Sequence, residues 1–571
     1  MKKNNAGKLR TLRLWPGVII VVLQWLLRYV LPIIVPDALN VAVFAGVIGG
    51  LVIFIWWGFF SKARAIEKLS ALALMIVVLV LTPHILHPSI AESGMGFMFY
   101  IYVIPGLCLA FVVWAFISQY LTTKWRWITM VLTILLACTA WALVRTNGFD
   151  ANFHQDFAWR WTQTAEDQLL EQSPEKQAQQ SMAPVTVDTT FCWPGFRGAK
   201  RDGIVYGTTI STDWTSSPPE LLWKVQIGPG WSSFAVDNGL LYTQEQRGDN
   251  EDVSCYQIAN GMPVWGHSDQ ARFWEANAGP GPRATPTLYQ GRVYALGATG
   301  IMNVLDAQNG NVIWSRNAAK DTGTKTPIWG FAASPVIYGD RVIVAVAGSL
   351  IAYDLETGEP RWSHSIGGEC YSSPHLVTMD SVQQVLLQNE TGIISVSPAD
   401  GDQLWDYAWA GHPIVQPAIT PDGDILISVD EKSGMQRISV TQDTDSWTVE
   451  KRWETDRLRP YFNDSVIHKG YVYGFFGPGL ACINVNDGER QWRGGRYGRG
   501  QILLLADQDV LLVISEKGDL ALVQAVPDGF TELARVPAIE GKTWNHPVLA
   551  GDILLVRNGQ EMAAFRLAQA G

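Results

Sequence analysis

The sequence predicts an all-α transmembrane domain of five helices followed by an all-β, eight-bladed β-propeller. Three observations predict this fold class. Large apolar residues dominate the chain up to about residue 146, whereas polar turn residues and apolar alternation dominate beyond it. Units with a turn glycine four residues before a tryptophan recur along the second half. At 571 residues, the chain also exceeds what one hydrophobic core usually supports.

Five apolar stretches are each long enough to cross about 30 Å of hydrocarbon. They cover residues 14–35, 39–60, 69–87, 96–119 and 126–145. Basic residues are retained on the cytoplasmic side of a membrane, and here they occur only at alternate loops. The loops at 36–38 and 87–94 have none, and the basic residues of the others are Lys2, Lys3, Lys8, Arg10, Arg13, Lys62, Arg64, Lys68, Lys124 and Arg126. The N-terminus is therefore predicted to be cytoplasmic, and everything after Arg145 lies outside.

Two polar residues interrupt the first span. Gln24 and Arg28 are four residues apart and so share one helix face, where a polar group is costly unless it is paired or wetted. They could form a quinone or proton site. Alternatively, Arg28 snorkels to the interface or bonds a neighbouring helix.

Composition changes again between the membrane part and the repeats. Residues 147–219 include a charged helical stretch around 156–180 and then a segment rich in Ser, Thr and Pro. The predicted domains are therefore a membrane domain at 1–146, a connector on the outer side at 147–219, and a propeller at 220–571.

The repeated unit is a β-hairpin that ends in tryptophan. Asn-Gly, Thr-Gly or Asp-Gly supplies the positive φ of its tight turn, and a further pair of strands precedes it in each unit. The glycine and tryptophan pairs are Gly261 and Trp265, Gly310 and Trp314, Gly358 and Trp362, Gly401 and Trp405, and Gly488 and Trp492. With Trp453 marking a degenerate unit, successive tryptophans are 39 to 49 residues apart, which is typical of propeller blades.

Eight units can be counted between residues 232 and 567, and the last has only three strands. The missing outer strand can come from Glu220 to Trp223 at the start of the domain. This closure removes exposed sheet edges. We expect the repeated tryptophans to pack between neighbouring blades as core.

The pattern best preserved from Ala352 to Trp362, AYDLETGEPRW, resembles the PQQ repeat of quinoprotein dehydrogenases and of the BamB-like outer-membrane assembly proteins. The phrases around Phe196 to Gly203, GGRYGRGQ and GKTWNHP resemble a subgroup of bacterial PQQ-like repeat proteins. Five spans before eight blades also resemble the layout of membrane-bound glucose dehydrogenases. That resemblance implies a site on the propeller axis for pyrroloquinoline quinone (PQQ) with a divalent metal such as calcium, and electron transfer to ubiquinone.

Charge and cysteine spacing exclude some classes of function. A net charge of −10 argues against a nucleic-acid partner, which would call for a basic face. The six cysteines have no CxxC or CxxCH spacing, so neither a zinc knuckle nor a c-type haem is indicated.

A ligand site is expected at one mouth of the central channel, where the innermost strands begin. Aromatic and arginine side chains there could stack on and pair with a planar tricarboxylate such as PQQ. The cofactor candidates are Trp231, Arg283, Trp329, Tyr371, Gln416, Arg496 and Trp544. Asn463 and Asp464 could bind calcium, or Asp464 could act as a catalytic base. Any of these residues could instead be a loop residue that makes backbone hydrogen bonds.

Two functions remain open. The first is a membrane-anchored binding or scaffold module in the cell envelope, with the lipid bilayer and envelope proteins as partners. The second is a PQQ-dependent sugar or alcohol dehydrogenase that passes electrons to ubiquinone. The sequence favours the first, because about 350 residues for eight blades leave little room for long cofactor-covering loops. In both cases the expected location is the bacterial inner membrane, with the propeller in the periplasm.

Overall fold

The computed structural model describes residues 12–35, 38–149, 155–171, 186–444 and 446–570. It separates into two compact units, one ending at Thr162 and including Ala276–Ala278, and the other formed by the remaining residues. Two parts of the sequence prediction lie outside the described residues. These are the basic residues Lys2, Lys3, Lys8 and Arg10, and residues 172–180 of the predicted helical stretch.

The described part of the first unit contains five helices that are each long and apolar enough to cross a membrane, which confirms the predicted number. The first two contain π-helical turns, and a short two-stranded hairpin follows the fifth. The helices are Trp15–Ile34, Val41–Phe60, Ala65–Ile85, Met98–Ser118 and Thr123–Leu143, and the hairpin strands are Val144–Phe149 and Gln155–Trp159.

The two polar residues of the first span face neighbouring helices. Gln24 donates from Nε2 to the Gly46 carbonyl at 2.6 Å. The Arg28 guanidinium lies 5.3 Å from the Tyr29 ring and 5.6 Å from the Tyr102 ring, and the residue is only 6% exposed. Arg28 therefore packs against a neighbouring helix, as one of the two interpretations expected.

The second unit is an eight-bladed β-propeller, which confirms the predicted fold class. Each blade is an antiparallel sheet of four strands in sequence order from the axis outward. The first four blades are Ala235–Asp237, Leu240–Arg247, Asn250–Gln257 and Pro263–Asp269; Thr287–Tyr289, Arg292–Leu296, Ile301–Asp306 and Val312–Asn317; Val336–Tyr338, Arg341–Ala345, Ser349–Asp354 and Pro360–Ser365; His375–Met379, Val382–Asn389, Gly392–Val396 and Gln403–Ala408.

The remaining blades follow the same plan with two additions. Ile204–Val205 adds a parallel fifth strand to the seventh blade, and a strand from the start of the propeller completes the eighth. The strands of blades five to eight are Ala418–Ile419, Ile425–Ile427, Met435–Asp443 and Ser446–Thr455; Val466–His468, Tyr471–Phe476, Gly479–Asn484 and Arg490–Gly494; Gln501–Leu505, Val510–Ile514, Asp519–Gln524 and Glu532–Pro537; Val548–Ala550, Ile553–Arg557, Glu561–Arg566 and Glu220–Gln226.

The ring closes as the sequence predicts. Glu220–Gln226 pairs antiparallel with Glu561–Arg566, which places Trp223 opposite Ala564. Strands from the two ends of the domain therefore share one sheet, and the eighth blade has no missing outer strand.

The repeated tryptophans pack between blades, as expected. Each of six indoles donates from Nε1 to a carbonyl of the next blade, three residues before that blade's turn glycine. The pairs are Trp223 with Ile258, Trp265 with Ala307, Trp314 with Leu355, Trp362 with Pro398, Trp453 with Val485, and Trp492 with Val526, at 2.6 to 3.2 Å. Trp405 departs from this pattern because it donates to Gln384 within its own blade.

Candidate functional site

A ring of hydrogen bonds surrounds the propeller axis where the inner strands begin. In five successive cases, the backbone N–H of one blade donates to a side-chain oxygen of the next blade. We call these residues, together with His546, the axial ring. The bonds run from Ser233 to Thr285, from Thr285 to Ser334, from Ser334 to Ser373, from Ser373 to Gln416, and from Gln416 to Asp464, at 2.7 to 3.0 Å.

His546 of the eighth blade completes the circuit. Its carbonyl accepts from the Ser233 hydroxyl at 2.6 Å, and its Nε2 lies 3.4 Å from a carboxylate oxygen of Asp464. The members are less than a tenth exposed, so the ring is a buried polar layer.

The ring has a signal in the sequence outside the tryptophan and glycine repeat. At one position of the repeat, a polar residue stands directly before proline. A residue before proline is held in extended backbone, and here its side chain reaches another blade. The instances are Thr285-Pro286, Ser334-Pro335, Ser373-Pro374, Gln416-Pro417 and His546-Pro547.

Residues 193–205, which the sequence assigns to a connector, run across the propeller axis. They lie on the side of the ring from which the inner strands continue. We call them the axial segment. They contact seven of the eight blades. The contacts include Trp193 with Val236, Pro194 with Leu288, Phe196 with His546, Arg197 with Ser465, Arg201 with Ser334 and Pro374, and Ile204–Val205 with Leu504–Leu505.

Two buried arginines hold the axial segment in place. Arg201 donates to the carbonyls of Ser334 and Pro374 at 3.2 and 2.8 Å. Arg197 donates to the Ser465 carbonyl at 2.8 Å and lies 3.6 Å from the Asp464 carboxylate. Since the guanidinium groups use carbonyls of several blades, the segment ties blades together across the axis.

Contacts within the propeller engage both candidate metal ligands, Asp464 and Asn463. The Asp464 carboxylate accepts from the Gln416 N–H and faces Arg197 and His546. Burial raises the pKa of Asp464, but Arg197, His546 and the amide outweigh burial and lower it. Asn463 donates from Nδ2 to the Gly500 carbonyl at 2.6 Å. With a guanidinium beside it, Asp464 does not fit a calcium ligand in this arrangement.

No group of three or more His, Cys, Asp or Glu side chains in the described part of the chain is arranged to hold a metal ion. The ionised Asp464 is instead part of the axial ring. Gln416, another cofactor candidate, is part of the same ring because its Oε1 accepts from Ser373.

The other side of the ring opens into a mouth lined by aromatic side chains, which we call the aromatic mouth. The ring centroids of Trp231 and Trp544 are 4.9 Å apart, and those of Phe462 and Trp544 are 4.8 Å apart. Tyr461 continues the row at 5.4 Å from Phe462. These four side chains are half-buried, so their rings offer a surface for apolar or planar groups.

Two cations lie over these rings. The Lys542 ammonium is 4.3 Å from the Trp544 ring centroid, and the Arg499 guanidinium is 4.4 Å from that of Tyr461. Each site also has an acid, since Trp544 donates to Glu516 at 2.8 Å and Arg499 pairs with Glu431 at 2.7 Å. The mouth therefore combines aromatic faces with both signs of charge.

Trp329 and Tyr371 form a second aromatic pair, with centroids 4.9 Å apart. Arg283 pairs with Glu275 at 3.3 Å and donates to the Gly279 carbonyl at 2.8 Å. Burial lowers the pKa of Arg283 to about 10, which leaves it charged at neutral pH. Its charge is thus already balanced within the protein.

Arg496 lies apart from these groups. Its side chain is exposed, and its carbonyl accepts from Arg535 at 3.4 Å. Arg499, three residues further along the same glycine-rich string, is the arginine that reaches the aromatic mouth. The sequence alone could not show which of the two arginines reaches the mouth, because each directly follows a glycine in the same turn.

His375 gives the axial region a pH dependence that can be measured. Burial and the nearby Arg201 and Arg197 lower the pKa of His375 to about 3. A depressed pKa means that the folded state holds the neutral imidazole, so stability is full above about pH 6.5 and falls toward pH 3. The free energy of unfolding should fall by about 1.4 kcal/mol per pH unit where this dependence is steepest. We therefore expect His375→Gln to reduce the fall in melting temperature between these pH values.

The control for this prediction is His412→Gln, since His412 is exposed. Melting of the full chain in detergent, followed by tryptophan fluorescence at several pH values, would compare the two variants. Equal slopes for wild type and His375→Gln would contradict the assignment.

Comparisons with known proteins agree with this architecture. The family model described as outer membrane protein assembly factor BamB matches residues 217–374 and 372–569. A protein of that name from Burkholderia pseudomallei is 27% identical over 196 residues, covering 33% of this chain and 46% of the relative. One from Moranella endobia is 21% identical over 292 residues, covering 48% of this chain and 71% of the relative.

The match thus spans about half the length of the Burkholderia relative. Among solved structures, quinohemoprotein alcohol dehydrogenase from Comamonas testosteroni has a TM-score of 0.51 at 12% identity, covering 71% of this chain and 85% of that one. This likeness shows the propeller fold alone. The family model matches more than half of the sequence, through the same blades that carry the tryptophan and glycine repeat. The chain therefore belongs to the family described as outer membrane protein assembly factor BamB.

Proposed function

We propose that this protein is a membrane-anchored binding or scaffold module of the bacterial cell envelope. Its helices hold it in the inner membrane, and its propeller recruits a polypeptide in the periplasm. The observation that carries the proposal is the aromatic mouth, where Trp231, Phe462 and Trp544 remain partly exposed. Clustered aromatic side chains flanked by charges are the composition typical of protein-binding hot spots.

The filled centre of the propeller favours binding at its surface rather than within the channel. The axial segment and the axial ring fill the centre with chain and hydrogen bonds. A partner would therefore meet the rim of the mouth and the blade edges around it.

The location rests on charge and family. Lys62, Arg64 and Lys124 lie in or next to loops at one end of the helices, and this basic charge supports a cytoplasmic location for that end and a periplasmic location for the propeller. The relatives are described as outer membrane assembly factors, a role in the envelope that is compatible with a periplasmic propeller.

A photoreactive side chain at the mouth tests the proposal. With benzoylphenylalanine in place of Phe462, irradiation of cells is expected to attach a discrete polypeptide, because Phe462 lies at the rim of the mouth. The matched control is the same substitution at Tyr206, which is 60% exposed and follows the axial segment. Adducts at both positions, or at neither, would contradict recruitment at the mouth.

The dehydrogenase is the alternative. The aromatic faces with Lys542 and Arg499 above them have the chemistry to stack on a planar anion such as PQQ. However, Asp464 is engaged by Arg197 and the axial ring, so the arrangement gives less support to a calcium-assisted oxidation.

Titration of the full chain in detergent with PQQ and calcium separates the two functions. Absorbance of the cofactor and the melting temperature would be followed together. A saturable rise in melting temperature would overturn the scaffold in favour of the enzyme. The scaffold predicts no binding at about tens of micromolar PQQ.

A further inference from the structure

Three arginines surround one phenylalanine at the boundary between the fifth and sixth blades, and a fourth lies beside them. The guanidinium carbons of Arg459, Arg490 and Arg493 lie 4.9, 4.4 and 4.6 Å from the centroid of the Phe476 ring. Arg490 also donates from Nε and Nη2 to the Arg457 carbonyl, at 3.2 and 2.9 Å. We call Arg457, Arg459, Arg490 and Arg493 the arginine cluster.

A β-bulge places two of these side chains together. In the outer strand of the sixth blade, Arg493 pairs with Ala481 and Arg490 pairs with Ile483, because the register skips Gln491. The two arginines thus occupy alternate register positions and share one face of the sheet, although they are three residues apart in sequence. A regular strand would place them on opposite faces.

Arg459 comes from the connection between the fifth and sixth blades. It follows the last strand of the fifth blade, forms a bridge with Phe476, and donates its N–H to the Phe475 carbonyl at 3.1 Å. Phe476 thus contacts both the segment that connects the fifth and sixth blades and the outer strand of the sixth blade.

The cluster carries more positive charge than its neighbours balance. Asp456 lies 3.1 Å from Arg459 and 3.7 Å from Arg457. Among the described residues, no carboxylate forms an ion pair with Arg490 or Arg493. Burial and then the charges of Arg457 and Arg493 lower the pKa of Arg490. Four cations against one acid is an unusual local excess in a chain of net charge −10, and it attracts an anion.

The cluster adjoins the aromatic mouth. Arg459 and Tyr461 are two residues apart, so their α-carbons are within about 7 Å. Tyr461 is the ring beneath Arg499 at the mouth. A single extended segment of four or five residues could contact both surfaces, whereas one lipid headgroup would reach only one.

We infer that the arginine cluster docks an acidic segment of a polypeptide, whose flanking apolar residues lie on the aromatic mouth. This inference rests on the proposed function and names the chemistry of its partner. Carboxylates of the segment would pair with Arg490 and Arg493, whose guanidinium groups match a carboxylate in two-point geometry.

The test uses a fluorescent peptide of ten glutamates and the full chain in detergent. Wild type is expected to bind this peptide at low salt, and binding should weaken as salt rises. The double variant Arg490→Gln, Arg493→Gln should weaken binding about tenfold or more, because two charge-assisted contacts are lost. The matched control is Arg341→Gln, Arg566→Gln, whose arginines already pair with Asp340 and Asp552. It should change binding less than about twofold.

Several outcomes would overturn the inference: absence of peptide binding, equal loss in the control, or binding only to phosphatidylglycerol vesicles. Melting temperatures report whether each variant is folded, and the single variant Arg493→Gln, which alters an exposed side chain, replaces the double if it is not. If peptide binding is absent while the Phe462 adduct persists, the inference fails and the proposed function stands. Loss of both contradicts both.

Discussion

Replacing Trp314 with alanine is expected to destabilise the propeller by about 3–5 kcal/mol, the usual cost of removing a large buried aromatic side chain. Trp314 is 8% exposed and donates to the Leu355 carbonyl of the next blade at 2.9 Å. Its ring covers Gly358, where an added Cβ would lie 2.6 Å from the indole. The variant therefore loses apolar burial, one hydrogen bond and the contact between the second and third blades. Melting of the full chain in detergent would measure the loss.

Two glycines provide the matched control for this contact. Gly358 and Gly291 have φ values of +70° and +72°, so alanine is strained equally in both. A Cβ at Gly291 meets open space, whereas one at Gly358 meets the Trp314 ring. We expect Gly358→Ala to cost more than Gly291→Ala, and the excess to vanish when Trp314 is already alanine. Additive effects in this double-mutant cycle would contradict direct packing.

This contact shows why the propeller could be predicted from sequence. The tryptophan and glycine recur at a constant spacing, because each blade must present the same two groups to its neighbours. The closure by Glu220–Gln226 followed from the same pattern, since the last unit had no strand ending in tryptophan. Because the blades repeat, a contact between two blades is visible in the sequence as a short pattern of tryptophan and glycine.

The axial segment could not be predicted in that way. Arg197 and Ser465 are 268 residues apart, and the segment occurs once, so no period reveals its partners. Its composition resembles a linker, although Arg197 and Arg201 are less than a tenth exposed. Only the fold brings carbonyls from several blades within reach of two guanidinium groups.

The candidate site was predictable in position but not in chemistry. Trp231 and Trp544 do come together at the mouth. Asp464 and Gln416 stand at equivalent places in the repeat, but their side chains point into the axial ring. The arginine cluster depends on a bulge at Gln491, directly before the repeated Trp492, and on Arg459 from the connection between the blades, which no period in the sequence brings to it.

Replacing Arg557 with methionine is expected to cost about 3–5 kcal/mol, since it removes the donor from a fully buried polar network. Arg557 has no exposed surface and belongs to the eighth blade. It donates to the Thr243 hydroxyl at 2.6 Å and to the carbonyls of Gln244 and Gly228, both at 3.0 Å. Methionine fills part of the volume but leaves three oxygens without this donor.

The position of these bonds makes the effect specific to ring closure. Thr243 and Gln244 belong to the first blade, and Gly228 follows the strand Glu220–Gln226 that completes the eighth. Arg557 therefore joins the first and last blades where the chain closes on itself. Arg566→Met is the control, because Arg566 lies in the same blade and pairs at the surface with Asp552 at 3.2 Å. It should cost less than about 1 kcal/mol.

Amide hydrogen exchange gives the decisive readout for Arg557→Met. If the residue secures closure, amides of Glu220–Gln226 should exchange faster in this variant, while those of the third and fourth blades keep their protection. Uniform loss of protection would mean that the propeller unfolds as one unit and that Arg557 has no special role in closure. Because the closing strand is held by its hydrogen bonds to Glu561–Arg566 and by neighbours such as Arg557, we expect the local result.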